Sequence, residues 1–530
     1  MNQKLQEYKA GMDDWFRQRK ESILLCLCSV FVWGLLAHAY GFLHCNLSHD
    51  VLNAFSATRT EEIWKIELGR FFVPLYRAVF RGPITVPWLI GVLGLAWTAA
   101  AVYLVTRIFE IRAKSLTVLI AGVMVANITY TAQIATYVYE FDFNAFALLM
   151  AVCAVYFWEK DKGIWSILLG SLCVMVSIGI YQAFFAVAAA LMVWKSVMDL
   201  FGDKAVKKVF FHGLRGIAIL AVGCVGYFLV GKVVYRVTGI SPQSRTDVFS
   251  SEAANPLRFY VGLIKPALHR FLSVTTLEAY CGKPIRLIVT VVSGILCAAA
   301  VWVFIRGKYR PDRIALILLL VAVTPFAMLS TYFLAKGDNT HELTIYAYWL
   351  FYVFALIFAF RLCDPDLIQG WPSELVKLLS CGVVCIVLWQ NVVLANTAYI
   401  KKERETDVTL STMTRVVSRL EAREDYSVGE TTVAFIGVSE LQNRVPGMER
   451  VSKIIGLGPG VSIPNDTSRY YYNVYQAYFD YVLQYPIIFC EDEVHKQLKE
   501  DPRVQEMPAF PDSGCMEMID GVLVVKMGDD

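Results

Sequence analysis

Residues Ile84–Thr106 read ITVPWLIGVLGLAWTAAAVYLVT, a run without one charged side chain. A bilayer's hydrocarbon core is ~30 Å thick, so a helix rising ~1.5 Å per residue crosses it with ~20 apolar residues. This stretch is long enough. Working outward from it, the chain shows about eleven such spans, near 22–44, 84–106, 115–136, 143–158, 164–181, 183–200, 209–235, 286–305, 313–335, 343–361 and 375–398. The pair 143–158 and 164–181 is short. The fold class expected is a polytopic α-helical membrane protein.

Composition agrees. Of 530 residues, 56% are hydrophobic and 18% charged, against ~45–50% and ~25% in a soluble domain. This excludes a disordered chain, a collagen-like fibre and a disulfide-rich miniprotein. A formal net charge of +3 argues against a nucleic-acid partner, which needs a basic face.

Residues 1–21 carry Lys4, Lys9, Arg17, Arg19 and Lys20 and no cleavage signature. The first span therefore reads as an uncleaved anchor with a cytoplasmic N-terminus. From that start, Arg107-Arg112-Lys114, Lys160-Lys162, Lys204-Lys207-Lys208 and Arg306-Lys308-Arg310-Arg313 fall on the cytoplasmic side. Loops 45–83 and 236–285 of the membrane domain 22–398 fall outside, and eleven spans put residues 399–530 outside too. That last segment is net acidic, whereas 1–398 is net basic.

Residues 399–530 read as a small extracytoplasmic α/β domain. Strand-like runs occupy 431–437, 486–490 and 521–526. Leu410, Met413, Val417 and Leu420 form a helical stripe, with Asp407 as its cap. Gly456–Gly460 reads as a plain turn, because it contains Pro459 and no Lys-Ser/Thr follows. Most of the 13 cysteines lie in spans as small apolar residues, and no zinc spacing exists. Cys490 and Cys515 share the outer segment, where a disulfide and two buried thiols are equally compatible with the sequence.

The spans hold almost no charge deep inside; the acids sit at their outer ends. Asn46-Leu47-Ser48-His49-Asp50 follows the first span, and Tyr139-Glu140-Phe141-Asp142-Phe143-Asn144 follows the third. Three carboxylates at one face suggest chemistry at the bilayer surface, with a half-buried acid as general base. The plainer alternative is a set of water-facing span ends. Between them, Glu61–Arg77 mixes charges with Ile63, Trp64 and Phe71 at roughly helical spacing, as one or two helices lying along the interface with the apolar side down. Arg70 is a candidate clamp for a lipid phosphate, or else a snorkelling side chain. Arg245, Lys265, Lys336 and His341 are weaker candidates for the phosphate role.

Taken in order, the uncleaved first span, Ser48-His49-Asp50, Glu67-Leu68-Gly69-Arg70-Phe71, Tyr139-Glu140-Phe141-Asp142 and Ser177-Ile178-Gly179-Ile180-Tyr181-Gln182-Ala183-Phe184 resemble a bacterial membrane glucosyltransferase family. That family includes the type II O-antigen glucosyltransferases and belongs to the type C glycosyltransferase superfamily. The resemblance covers roughly residues 20–400; the tail motifs Met507–Pro511 and Ile519-Asp520-Gly521 are similar to the family's C-terminal region. It implies inverting transfer of a hexose, glucose by the family's name, from a polyprenyl-phosphate donor to a cell-surface glycan outside the plasma membrane. Asp50 matches the family's base. The family pattern often shows two adjacent acids; here His49 precedes Asp50, so a second acid falls to Glu140 or Asp142. His49, Tyr181 and Gln182 are supporting residues in this reading. No cofactor and no metal ligand set is specified, and a divalent metal is left open. The rival readings are a lipid-linked sugar or polysaccharide transporter, opposed by the lack of midplane charge, and a membrane-anchored sensor or scaffold, opposed by the number of spans.

Overall fold

The structure, a computed structural model, describes residues 2–44, 47–48, 51–52, 59–202, 204–243, 256–306, 309–334, 341–364, 371–437, 448–452, 454 and 469–528. Fifteen helices carry the argument below: α1 (Asn2–Leu43), α2 (Arg59–Glu67), α3 (Val73–Phe80), α4 (Pro87–Ile108), α5 (Lys114–Val125), α6 (Ile128–Tyr137), α7 (Phe141–Lys160), α8 (Ile164–Ile180), α9 (Phe185–Phe201), α10 (Val206–Thr238), α11 (Pro256–Thr275), α12 (Lys283–Arg306), α13 (Pro311–Met328), α14 (Tyr346–Leu362) and α15 (Trp371–Glu421). Among the described residues, eight segments are long and apolar enough to cross a membrane, and α5, α8 and α14 are shorter apolar helices. Each of the eleven expected spans overlaps helix, and the one at 115–136 is broken in two.

Side-chain contacts sort the helix ends into two faces. At one face, Arg313 at the start of α13 donates to the carbonyls of Gly202 (3.0 Å) and Lys204 (3.2 Å), and Lys114 lies 3.9 Å from Glu21. At the other, Gln182 donates to the Leu68 carbonyl (2.8 Å), and His44 at the end of α1 pairs with Glu403 of α15 (2.9 Å). We call the second the near face.

The third expected span is not one helix. It breaks at Ala126-Asn127 between α5 and α6, then reverses through a 3-10 turn at Val138–Glu140 into α7. Asn127 causes the break locally. Its Oδ1 caps α6 by accepting from the Tyr130 N–H (3.0 Å), while its Nδ2 donates to the carbonyls of Val123 and Met124 (both 3.2 Å). In an apolar run the freed carbonyls need partners, because a bilayer offers none. Three other helices supply them. Tyr346 of α14 donates to Met124 O (2.6 Å), His38 of α1 to Val125 O (2.9 Å) and Asn391 of α15 to Ala126 O (3.0 Å). A carbonyl only accepts, so His38 carries its proton on Nε2, and its Nδ1 accepts from the Tyr399 hydroxyl (2.7 Å).

The inner helices are α6, α7 and α9, whereas α10, α12 and α13 present mainly exposed apolar side chains, the pattern of lipid-facing helices. Close packing rests partly on small residues. Gly91 and Gly94 of α4 receive the rings of Phe42 and Phe141, and a Cβ at either position would collide with those rings.

α15 departs from expectation. It runs unbroken through 51 residues, about 76 Å at ~1.5 Å per residue. Asp407 therefore lies inside a helix and caps nothing, and the division expected at residue 399 falls mid-helix. The part of α15 beyond Glu403 stands out past the end of α1 and carries a four-stranded sheet, made of β1 (Thr432–Ile436), β2 (Ile488–Phe489), β3 (Met516–Ile519) and β4 (Val522–Lys526) in the order β2-β1-β4-β3. β1 is parallel to β2 and β4, with Val433 opposite Leu523; β3 is antiparallel to β4. Arg419 and Arg423 of α15 fasten the sheet by donating to the carbonyls of Pro511 (2.7 Å) and Met516 (2.8 Å). The strands at 431–437, 486–490 and 521–526 are present; β3 was not expected. Cys490 and Cys515 are buried and form no disulfide. One follows β2 and the other precedes β3, the opposite edges of the sheet, and strands ~4.8 Å apart put three spacings between edges. The disulfide alternative is therefore excluded. The Gly456–Gly460 turn lies outside the described residues.

Candidate active site

The near face between α1 and α4 is built by α2 and α3. α2 forms on the sequence Arg-Thr-Glu-Glu-Ile-Trp-Lys-Ile-Glu, where Glu61 and Lys65 are one turn apart and lie 3.5 Å from each other. α3 starts with Pro74 in its first turn, where a missing N–H is harmless. The turn Leu68–Phe72 joins them. Gly69 adopts φ +74°, and a Cβ there would collide with the Tyr227 hydroxyl. Three bonds hold this turn against the helices behind it: Gln182 Nε2 to Leu68 O, Tyr227 OH to Gly69 O (3.2 Å) and the Phe72 N–H to Gly179 O (3.0 Å).

Interface helices were expected with their charges toward water. The opposite is found. Lys65 and Arg77 are 2% and 3% exposed, while Trp64, Leu75 and Val79 are the exposed side chains. The charges turn inward onto the α6–α7 reversal. Lys65 binds Glu140, Arg77 binds Glu61, and Arg81 binds Asp142 (2.8 Å) and the Tyr139 carbonyl (2.7 Å). Arg70 lies 3.1 Å and 3.2 Å from the two Glu140 oxygens, and its guanidinium stacks over the Tyr181 ring at 4.6 Å. Among the described residues, four cations face three carboxylates in this cluster. Arg70 is the most exposed of these four cations, at 17% of its side chain; its Nε is buried and, like that of Arg77, makes no hydrogen bond among the described residues. Burial opposes its charge, but Glu140 and the neighbouring tyrosines outweigh burial and raise its pKa.

The structure thus brings Arg70, Glu140, Asp142, Tyr181 and Gln182 to one place. His341 is exposed at the head of a short turn, and no contact among the described residues joins it to the cluster. Its neighbour Glu342 is buried and holds Arg270 (2.8 Å) and Tyr280 (3.2 Å). His49, Asp50, Lys336 and Arg245 lie outside the described residues. Ser48 and Val51 flank His49-Asp50, and both are buried. The Ser48 hydroxyl donates to the Thr136 carbonyl, four residues before Glu140, and accepts from the Val51 N–H (3.2 Å). Sequence reasoning did not single out Lys65, Arg77, Arg81 or Tyr227. Only the i,i+4 Glu61–Lys65 spacing hinted that this face carries pairs.

No group of three His, Cys, Asp or Glu side chains among the described residues is placed to hold a metal ion. Glu140 and Asp142, the acids that a metal would need, already hold cations, so they do not fit that role. Two cavities of about 650 and 870 Å³ open at the other face, lined by residues including Arg112, Lys195, Asp199 and Lys204, and by Glu159, Lys208 and Arg215. Their buried members pair among themselves: Lys195 with Asp199 and with Glu159 (3.3 Å).

Many long apolar helices with a buried ionic cluster at one end define, in class, a polytopic membrane protein with a polar cluster at one face. The family model described as Glucosyl transferase GtrII matches residues 39–360, more than half of the chain, and covers every element of the cluster. The chain belongs to this family, and is by that membership a membrane glycosyltransferase. No curated protein and no solved structure gives a significant match.

Proposed function

We propose that this protein transfers a hexose, glucose by its family, from a polyprenyl-phosphate donor to a cell-surface glycan, with inversion, at the near face. That face is the extracytoplasmic side of the plasma membrane in this reading. The observation that carries it is Arg70, partly exposed and held from behind by Glu140 and Tyr181. A phosphate needs a cation whose other side is already fixed, and Glu140 and Tyr181 fix Arg70. Exposed apolar surface on α2, α3 and α10 gives the polyprenyl chain a path along the protein.

In the reaction, the acceptor oxygen attacks the anomeric carbon from the face opposite the phosphate. Asp50 takes the hydroxyl proton as the new C–O bond forms. The bond from the anomeric carbon to the phosphate oxygen breaks, its electron pair leaves on the phosphate, and Arg70 stabilises that growing charge. A phosphate is a weak base, so no general acid is needed. Glu140 and Asp142 act as holders of cations; each is engaged by at least one buried cation. His49 orients Asp50.

The test is transfer by the purified protein with polyprenyl-phosphate glucose and a panel of other polyprenyl-phosphate sugars. Asp50→Asn keeps shape but cannot take the proton, so turnover is expected to fall at least about a hundredfold, the lower part of the usual range for general-base help, with donor binding retained. His49→Ala should lose less. Near-normal turnover by Asp50→Asn overturns the assignment.

A further inference from the structure

Most buried polar side chains in the helices are accounted for by backbone partners. The amides of Asn127, Asn391 and Asn396 each donate to a main-chain carbonyl. Two carboxamides do not follow this rule, Gln133 of α6 and Asn144, and of the two Asn144 is the one that follows Glu140 by a single helical turn. It is 1% exposed, lies in the first turn of α7, and neither its Oδ1 nor its Nδ2 has a hydrogen-bond partner among the described residues. Leaving a buried amide unpaired is unfavourable in any interior, and more so within a bilayer.

Its position gives the reason. Glu140, Asn144 and Ala147 recur at i, i+4 and i+7 and so form one stripe. At the head of that stripe the Glu140 side chain faces Arg70, which stacks on Tyr181, and one level down the Ala147 carbonyl accepts from Ser177 of α8 (2.8 Å), so α7 lies against the end of α8 here. Asn144 therefore lies one turn beneath Glu140, on the side where Arg70 and Tyr181 stack. A carboxamide offers one acceptor and one two-proton donor in a plane. That pattern complements two neighbouring hydroxyls of a pyranose, each of which donates and accepts.

We infer that Asn144 is the floor of the sugar subsite and binds two adjacent hydroxyls of the hexose being transferred. The inference rests on the glycosyltransferase reading above and adds to it a specificity-determining residue. Substrate enters from the Arg70 side, so the phosphate meets the guanidinium at the rim and the sugar reaches the amide below it.

The experiment compares the purified full-length wild type with Asn144→Leu, close in volume and without polar atoms, and with Asn144→Ala. Each is assayed with polyprenyl-phosphate glucose and with donors lacking one ring hydroxyl in turn. Asn144→Leu should melt at the same temperature as wild type or higher, because an unpaired buried amide has been removed. Its kcat/KM for the glucose donor should fall about ten- to a hundredfold. With the donors lacking the contacted hydroxyls, the deficit relative to wild type should largely vanish, whereas a merely structural residue would show the same deficit with every donor. Asn144→Ala keeps the comparison available if leucine misfolds. Unchanged kcat/KM, or a deficit independent of which hydroxyl is missing, overturns the inference while leaving the transferase reading intact. A wild-type protein inactive with every polyprenyl-phosphate sugar removes that reading, and the inference with it.

Discussion

Arg70 is joined on one side to a carboxylate and on the other to an aromatic face, and these contacts make different demands. Arg70→Lys keeps the charge but loses the planar stack and the two-oxygen contact with Glu140. Donor KM should rise about tenfold with kcat changing less, as for loss of roughly one charge-assisted bond. Arg70→Ala should lower kcat/KM by about a hundredfold or more, since the phosphate loses its partner in the ground and transition states alike; steady-state kinetics on the purified enzyme separate the two. Glu140→Gln should act differently. It leaves the buried Lys65 with only the longer contact to Glu61 (3.5 Å) and weakens the hold on Arg70, and breaking one partner of a buried pair typically costs about 3–5 kcal/mol. The melting temperature should drop, and adding Lys65→Met should restore part of it. A single Glu140→Gln that is fully stable but inactive would instead make Glu140 part of the chemistry. Much of this site was visible in the sequence as residue types: Arg70, Glu140, Asp142, Tyr181 and Gln182 sit in short motifs that the fold assembles. Their partners were not. Lys65–Glu140 and Arg81–Asp142 span 75 and 61 residues, and no local periodicity encodes pairing at that range.

Apolar runs of bilayer length are unambiguous, which is why the spans were readable; their interruptions were not. In 115–136 the only sign of a break is Asn127, an ordinary residue in a soluble helix and a cap here. Asn127→Ala removes one cap and two carbonyl contacts, so stability should fall by about 1–2 kcal/mol, measurable by thermal unfolding in detergent. The junction of α15 was misread for the reverse reason. Lys401, Lys402, Glu403, Arg404 and Glu405 look like a polar linker followed by a new helix, yet their i,i+3 and i,i+4 pairs, Lys402–Glu405 and Lys401–Glu405 (both 3.3 Å), carry the helix through. Leu410→Pro inserts a residue that disfavours a helix interior by about 3 kcal/mol. Limited proteolysis of membranes should then cut near residue 410 and release the sheet, whereas the wild-type helix should resist.

At the scale of the whole molecule, the proposed count of eleven crossings, eight segments of full length and three shorter apolar helices, puts the start of α1 and the terminal sheet at opposite faces. Reporter fusions after Asp530 should read extracytoplasmic, with residues 2–17 cytoplasmic; both on one side would remove the orientation and with it the placement of the cluster. Because Cys490 and Cys515 lie at opposite sheet edges and form no disulfide, a reducing agent should leave the melting temperature unchanged. The break between α5 and α6 also has a consequence for how the protein is made. Its three freed carbonyls are satisfied by helices from both ends of the chain: His38 is already in place when residue 125 leaves the ribosome, Tyr346 emerges over 200 residues later, and Asn391 follows Ala126 by 265 residues. Met124 O and Val125 O already accept from Asn127 (both 3.2 Å), so during synthesis the kinked segment must remain where the insertion machinery or a water-filled vestibule can serve the Ala126 carbonyl. Its release into lipid waits for the last helix, so truncation before residue 391 should leave a chain retained at the translocon and marked for degradation.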